Sequence, residues 1–242
     1  MVKIDEQVYR YWRKRNLSDD NLFDVALFYE DIVKKFYRKG SGKIYVSELV
    51  SHNLLSEMKY LTSDFFLLES DKKAGKNYSA NVNFIKSVKD LSDLNFVFSF
   101  HKTFNLMLER KTVLDYLQNI RKLMTKGGIF VLETELFNAE VFQPYSSSWN
   151  YESCEYSLKV KIIDEEMDFF NCTKKQKVII KKSDGSLLKS HVRYRIYTMA
   201  ELKEVFQSSG LFEMISIHNP YVIGEMNPDE YNGNVVVMFR AK

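Results

Sequence analysis

The sequence predicts an α/β domain on a doubly wound, mostly parallel sheet, with an antiparallel β insertion after the fifth strand. Three observations carry that expectation: a strand–helix–strand unit at residues 94–135, short apolar runs alternating with helical segments before it, and a meander of strands after it. In the first, residues 96–100 (FVFSF) lack polar alternation, which suits a strand buried on both faces of a parallel sheet. Thr112, Val113, Leu114 and Asp115 have the pattern of a capping box. Val113, Leu114, Leu117, Ile120, Leu123 and Met124 then recur on one helical face, predicting a helix over 113–124. Gly127 and Gly128 would end it in a left-handed turn before a second buried run at 129–132. Two strands joined in this way are nearly always parallel, with a right-handed crossover.

In chain order, residues 5–39 are expected to be mostly helical. Leu22, Phe23, Val25, Ala26, Phe28, Tyr29, Ile32, Val33 and Phe36 form an apolar stripe after a cap at Ser18, Asp19 and Asp20. The stripe suits core packing; with Tyr9, Tyr11 and Trp12 the segment 1–39 suits a lid over a ligand cleft. Gly40, Ser41, Gly42 and Lys43 are read as a plain turn. A phosphate loop needs Ser or Thr after the lysine and a helix to follow, whereas Ile44 opens a strand. Residues 44–50, 65–68 and 82–85 are the first three strands, with a helix at 54–61. Ligands of such sheets bind at the carboxyl ends of the strands where strand order reverses. That places a site near residues 48–53, 69–71, 87–90 and 101–105.

Composition bounds the function. A chain of 242 residues with 45% hydrophobic content can bury one full core. The division expected is a helical lid at 1–39, a core at 40–136 and 196–242, and the insertion at 137–195. The formal charge of +3 is small and its cations are interspersed with anions, so no nucleic-acid partner is expected. No apolar run approaches about 18 residues and the start is not signal-like, so the expectation is a soluble, cytoplasmic protein without a membrane partner. Cys154 and Cys172 suit reduced thiols, and His52, His101, His191 and His218 have no metal-ligand spacing, so no metal is expected. No G-x-S-x-G elbow is present, and a nicotinamide enzyme would need glycines that the first strand-to-helix turn lacks.

The run SFHKTFNLM followed by LDYLQNIRKLMTKGGIFVLET resembles the fourth strand, helix and fifth strand of the class I S-adenosylmethionine-dependent methyltransferases. Tyr197 to Leu202 (YTMAEL), Phe206 and Ser209-Gly210-Leu211-Phe212 are similar to that family's late helix and strand, and Gly233-Asn234-Val235 to its final antiparallel strand. The layout is similar to the small-molecule members, including amino-sugar N-methyltransferases. The resemblance implies S-adenosylmethionine as cofactor and methyl transfer to an amine or hydroxyl of a small molecule. It aligns Glu48-Leu49-Val50-Ser51-His52-Asn53-Leu54 with the glycine-rich cofactor loop; the acidic position is kept and every glycine is replaced. It further implies that Glu69 accepts from the ribose hydroxyls, that Ser87 lies at the adenine position, and that Glu48, Ser51, His52 and Phe100 border the cofactor. His101 is then the candidate base, because methyl transfer needs in-line positioning and the removal of one proton. The replaced glycines keep a second reading open, a methyltransferase-like pseudo-enzyme that has lost cofactor binding and serves as a binding partner or scaffold.

The insertion should decide the substrate. Residues 156–163, 168–172, 175–180 and 187–197 are strand-like, with a turn at Ser183, Asp184 and Gly185. Alternation puts His191, Arg193, Arg195 and Tyr197 on one face and Val192, Tyr194 and Ile196 on the other. The first face is either a solvated exterior or a surface that closes over the cleft, where Tyr11, Trp12, Arg193, Arg195 and Tyr197 would bind an anionic substrate or a sugar. An exposed edge of the meander would suit a homodimer.

Overall fold

A computed structural model of the chain describes residues 22–36, 42–46, 63–68, 82–100, 102–137, 143–152, 157–219 and 233–242. The first described element is the helix α1 (Leu22–Phe36), followed by the strands β1 (Lys43–Val46), β2 (Asp64–Leu68) and β3 (Val82–Ile85). Next come β4 (Leu94–Ser99), the helix α2 (Arg110–Leu123) and the long strand β5 (Met124–Glu135). The insertion contributes β6 (Ser146–Glu152), β7 (Ser157–Asp168), β8 (Thr173–Lys182) and β9 (Leu187–Arg195). The chain then returns through the helix α3 (Met199–Ser209) to β10 (Phe212–His218) and β11 (Asn234–Ala241).

The strands make a seven-stranded sheet in the order β10-β11-β5-β4-β1-β2-β3 and a separate four-stranded sheet in the order β6-β7-β8-β9. In the larger sheet β1 to β5 are parallel, and β11 runs antiparallel to both β5 and β10. The expected doubly wound sheet with an antiparallel insertion after the fifth strand is therefore the observed architecture.

The two faces of the large sheet carry different cores. Ile44, Phe96, Phe98, Ile129 and Val131 point to the α1 side, where Phe28, Tyr29, Ile32 and Val33 cover them. Val97, Phe130, Leu132, Val237 and Phe239 point the other way, under Val113, Leu117 and Ile120 of α2 and Leu202 and Phe206 of α3. There the Phe206 and Phe239 rings stack at 3.6 Å and 6°. The alternation along β4, β5 and β11 is thus the reason that near-continuous apolar runs suit this sheet: each residue meets a core whichever way it points.

Several local expectations need correction. The helix α2 begins at Arg110, with Glu109 at its cap and no side-chain cap, so Thr112 lies inside the first turn and its capping box does not form. The helix stops at Met124, whose φ is −98°, and passes directly into β5. Gly127 does have a φ of +81°, but within β5, where the strand advances from Met124 to Ile129 while β4 advances only from Leu94 to Phe96. The glycine pair therefore builds a bulge and not a helix stop. Residues 169–172, expected as strand, are the turn between β7 and β8, while β6 was not anticipated from its serine-rich sequence.

The insertion has its own apolar face of Leu158, Val160, Ile162, Val178, Ile180, Val192, Tyr194 and Ile196. The same face of β8 carries Lys174, whose ammonium lies 2.6 Å from the Asp164 carboxylate, both side chains almost fully buried. Gln176 and the Tyr145 amide also donate to that carboxylate, at 2.6 and 3.1 Å. A buried charge pair is tolerable only with such additional partners.

The bulge gives a direct test. A Cβ on Gly128 would sit 3.1 Å from the Leu94 carbonyl oxygen, 3.1 Å from that of Thr125 and 3.2 Å from that of Asn95. All three are backbone atoms that cannot rotate away. Gly128→Ala should therefore lower unfolding stability by about 1–3 kcal/mol in urea titration; an unchanged midpoint would show that the bulge is not fixed by this approach.

Candidate functional site

Strand order reverses at β1, which lies between β4 and β2. A ligand of this sheet belongs beyond the carboxyl ends of those strands, so the residues after Val46, Leu68, Ile85 and Ser99 define the candidate site. Tyr11, Trp12, Glu48, Ser51, His52, Glu69 and His101 lie outside the described residues. Ser87 follows the end of β3, where its hydroxyl caps a single 3-10 turn by accepting from the Lys89 amide at 3.2 Å. Phe100 is buried one residue beyond β4, packed edge-on against Tyr29 at 4.7 Å and stacked on Phe98 at 5.4 Å. It forms apolar ground between the sheet edge and α1.

The chain beyond Phe100 is shaped by groups that the sequence reading missed. Lys102 takes a left-handed φ of 59° and starts a 3-10 turn over Thr103–Leu106. Inside that turn Asn105 is fully buried. Its amide nitrogen donates to the carbonyl oxygens of Glu135, at 2.9 Å, and Arg195, at 2.8 Å. Its amide oxygen accepts from the Thr134 hydroxyl at 2.9 Å and from the Glu135 amide at 3.1 Å. One side chain thus joins the loop after β4, the end of β5 and the end of β9, using its full donor and acceptor capacity. Beside it Lys102 pairs with Glu135 at 3.0 Å, with both side chains mostly buried, and Leu106 packs on the apolar face of the insertion. A polar residue in the otherwise apolar run FNLM was the available signal, and only the fold shows which carbonyls it meets.

The insertion therefore turns its Val192, Tyr194 and Ile196 face toward the loop after β4. The opposite face is the solvated exterior. Arg193 is half-exposed and pairs with Glu166 at 2.8 Å, while His191, Lys175 and Lys177 surround Glu165. Among the described residues it is the apolar face, not the cationic one, that meets the loop after β4. Arg195 pairs with Glu201 at 3.0 Å and lies 5.1 Å from the centre of the Tyr197 ring. Tyr197 leaves the alternation expected for it: it is buried beneath α3 and donates its hydroxyl to the Met107 carbonyl at 3.0 Å. Burial pushes this phenol up to about 12, with Glu201 adding to the rise and Arg195 opposing it. At neutral pH Tyr197 is an uncharged structural donor.

Glu201 completes the capping box of α3, accepting from both the amide and the hydroxyl of Thr198. Burial works against its ionisation, but the bonds from Thr198 and then Arg195 outweigh it and hold its carboxyl below the ordinary 4.5. A carboxylate with a lowered folded-state pKa contributes stability above its unfolded value and loses it as pH falls through the folded value. Glu201→Gln should therefore be less stable than the wild type at pH 7, with the difference shrinking as pH falls below the ordinary glutamate value of 4.5 and through the lowered folded-state value. Thermal unfolding across that window measures it; a constant difference would show that the charge contributes nothing.

Cys172 is a free thiol at the turn after β7; burial raises its pKa, with Glu201 adding to the rise and Arg195 opposing it. Among the described residues no group of His, Cys, Asp and Glu could hold a metal ion, and no helix is long and apolar enough to cross a membrane.

No protein-family model matches the chain, and no curated protein matches it. Solved structures do. CcbJ methyltransferase from Streptomyces caelestis is 15% identical with a TM-score of 0.69, over 94% of each chain. CalS10 with S-adenosylmethionine bound, an amino pentose methyltransferase from Micromonospora echinaspora, is 12% identical with a TM-score of 0.65 over 100% of each chain. The sugar N-methyltransferase KedS8 from Streptoalloteichus sp. is 10% identical with a TM-score of 0.66, over 98% of this chain and 94% of its own. The likeness runs from end to end, across the insertion as well as the large sheet, and the chain has the fold of the class I S-adenosylmethionine-dependent methyltransferases.

Proposed function

We propose that the protein transfers a methyl group from S-adenosylmethionine to an amine or hydroxyl of a small molecule, an amino sugar being the leading class. The observation that supports this most directly is the end-to-end likeness, insertion included, to an amino pentose methyltransferase with that cofactor bound and to a sugar N-methyltransferase. A fold alone does not fix chemistry, so the reading also rests on what the sheet edge offers. Phe100 supplies buried apolar ground next to the reversal point, and Ser87 a hydroxyl beyond β3.

The cofactor would supply an electrophilic methyl group. Glu69, following β2, would accept from its ribose hydroxyls, with Glu48, Ser51 and His52 lining the loop after β1 and Ser87 and Phe100 the adenine side. His101, directly after Phe100, would take the proton released by the acceptor. Tyr11 and Trp12 would cover the acceptor. Since Arg193 and Arg195 are already paired with carboxylates, an anion is a weaker choice of substrate than a sugar. Pairing through an edge strand of the insertion would make a homodimer.

The loop at residues 48–54 contains no glycine, with His52 and Leu54 among its residues. That observation favours the second reading, a pseudo-enzyme without cofactor. Calorimetric titration separates the two. Micromolar binding of S-adenosylmethionine or S-adenosylhomocysteine, on the order of −8 kcal/mol, that is abolished by Glu69→Ala is expected. No heat at millimolar ligand would sink the methyl-transfer reading and leave the scaffold role.

A further inference from the structure

The face of β5 that looks toward α1 changes character at its carboxyl end. Val131 belongs to the α1-side core and Leu132 to the opposite one, so Glu133 and Glu135 continue the α1-side face. Antiparallel to it, β11 sets Val236 opposite Glu133 and Asn234 opposite Glu135. Val236 is part of the same α1-side core, so Asn234 and Glu135 are cross-strand neighbours on that face.

Two acceptors there have no donor among the described residues. Glu135 uses Oε1 for Lys102, whereas its Oε2 is buried and makes no hydrogen bond among the described residues. The Asn234 Oδ1 is buried and equally unsatisfied. Buried acceptors in native proteins are nearly always satisfied, so two of them on neighbouring strands point to a donor from outside the described residues. The charge agrees with a cationic donor, since the unmatched oxygen of Glu135 belongs to a carboxylate that is mostly buried. The position agrees too, since Glu135 ends β5 beside the loop that follows β4.

We propose that Glu135 and Asn234 form the anchor for the amino group of the methyl acceptor, a small primary or secondary amine that is drawn in as the ammonium and gives one proton to the base before its nitrogen lone pair takes the methyl group. This rests on the methyl-transfer reading and narrows it from amine or hydroxyl to amine. An ammonium donates several hydrogen bonds from one point, so it satisfies both orphan oxygens at once and completes the ion pairing that Lys102 leaves half made. A neutral hydroxyl of the same size brings one donor and no charge.

The test is ligand-observed NMR titration of the whole chain, with and without saturating S-adenosylhomocysteine, using D-glucosamine and cyclohexylamine against their neutral counterparts D-glucose and cyclohexanol. The wild type should bind each amine at least about 10-fold tighter than its neutral partner, as expected for a charge-assisted contact. Glu135→Gln, nearly isosteric, should remove most of that preference and leave the S-adenosylhomocysteine affinity unchanged. Lys102→Met removes the competing ammonium and should tighten the amines. Equal binding of amines and neutral partners, no amine binding at all, or amine binding indifferent to both substitutions would overturn the proposal; the last would mean that a donor of the chain itself, such as the Asn234 amide nitrogen turned toward Glu135, satisfies the carboxylate. Failure to bind S-adenosylhomocysteine with amine preference intact would instead sink the methyl-transfer reading and leave the amine site standing.

Discussion

The structure around the candidate site depends on one buried amide. Asn105 takes hydrogen bonds from the Thr134 hydroxyl and the Glu135 amide and returns two, to the carbonyls of Glu135 and Arg195. Those carbonyls sit where β5 and β9 end and no further ladder partner is due, so without the side chain they would be buried acceptors lacking donors. The three segments are thus joined at one point, which ties the insertion to the edge of the large sheet.

The neighbouring contacts elaborate that joint. Leu136 bridges to Tyr197, and the Phe137 amide donates to the Tyr197 carbonyl at 2.8 Å, which extends the contact between β5 and the chain leaving β9. The Tyr197 hydroxyl then reaches Met107 on the far side of the same loop. From Arg195 the chain enters α3 through Glu201, whose carboxylate accepts from the Thr198 cap and from the arginine together. Burial of these groups makes each bond stronger and each vacancy more costly. It is also why the unsatisfied Glu135 and Asn234 oxygens, on the adjacent face, stand out.

Much of the fold was legible in the sequence because it rests on apolar periodicity. The runs at residues 65–68, 82–85 and 96–100 correspond to β2, β3 and β4; β4 lies inside the sheet and is almost wholly buried, whereas β3 is its half-buried edge, and the shortness of these runs between turn signals marks them as strands. Boundaries were less legible: the pair Gly127-Gly128 signals equally a helix stop and a strand bulge, and only the register against Leu94 and Phe96 separates them. The site was legible in outline, as the carboxyl edge near β4. Its particular side chains were not. Arg193 and Arg195 drew attention as free cations, yet Glu166 and Glu201 neutralise them from elements that sequence alone does not place nearby. Asn105 and Glu135 were passed over for the converse reason, since a single asparagine in a loop or a glutamate at a strand end carries no pattern until its neighbours are known.

Hydrogen–deuterium exchange on Asn105→Ala tests the joint most directly, with the wild type as reference and both proteins shown to be folded by circular dichroism. The account predicts faster exchange in three separate segments at once: residues 102–107, the end of β5 at 133–137, and the β9-to-α3 passage at 194–198. Faster exchange confined to residues 102–107 would contradict it, because the end of β5 and the insertion would then be held in place without Asn105.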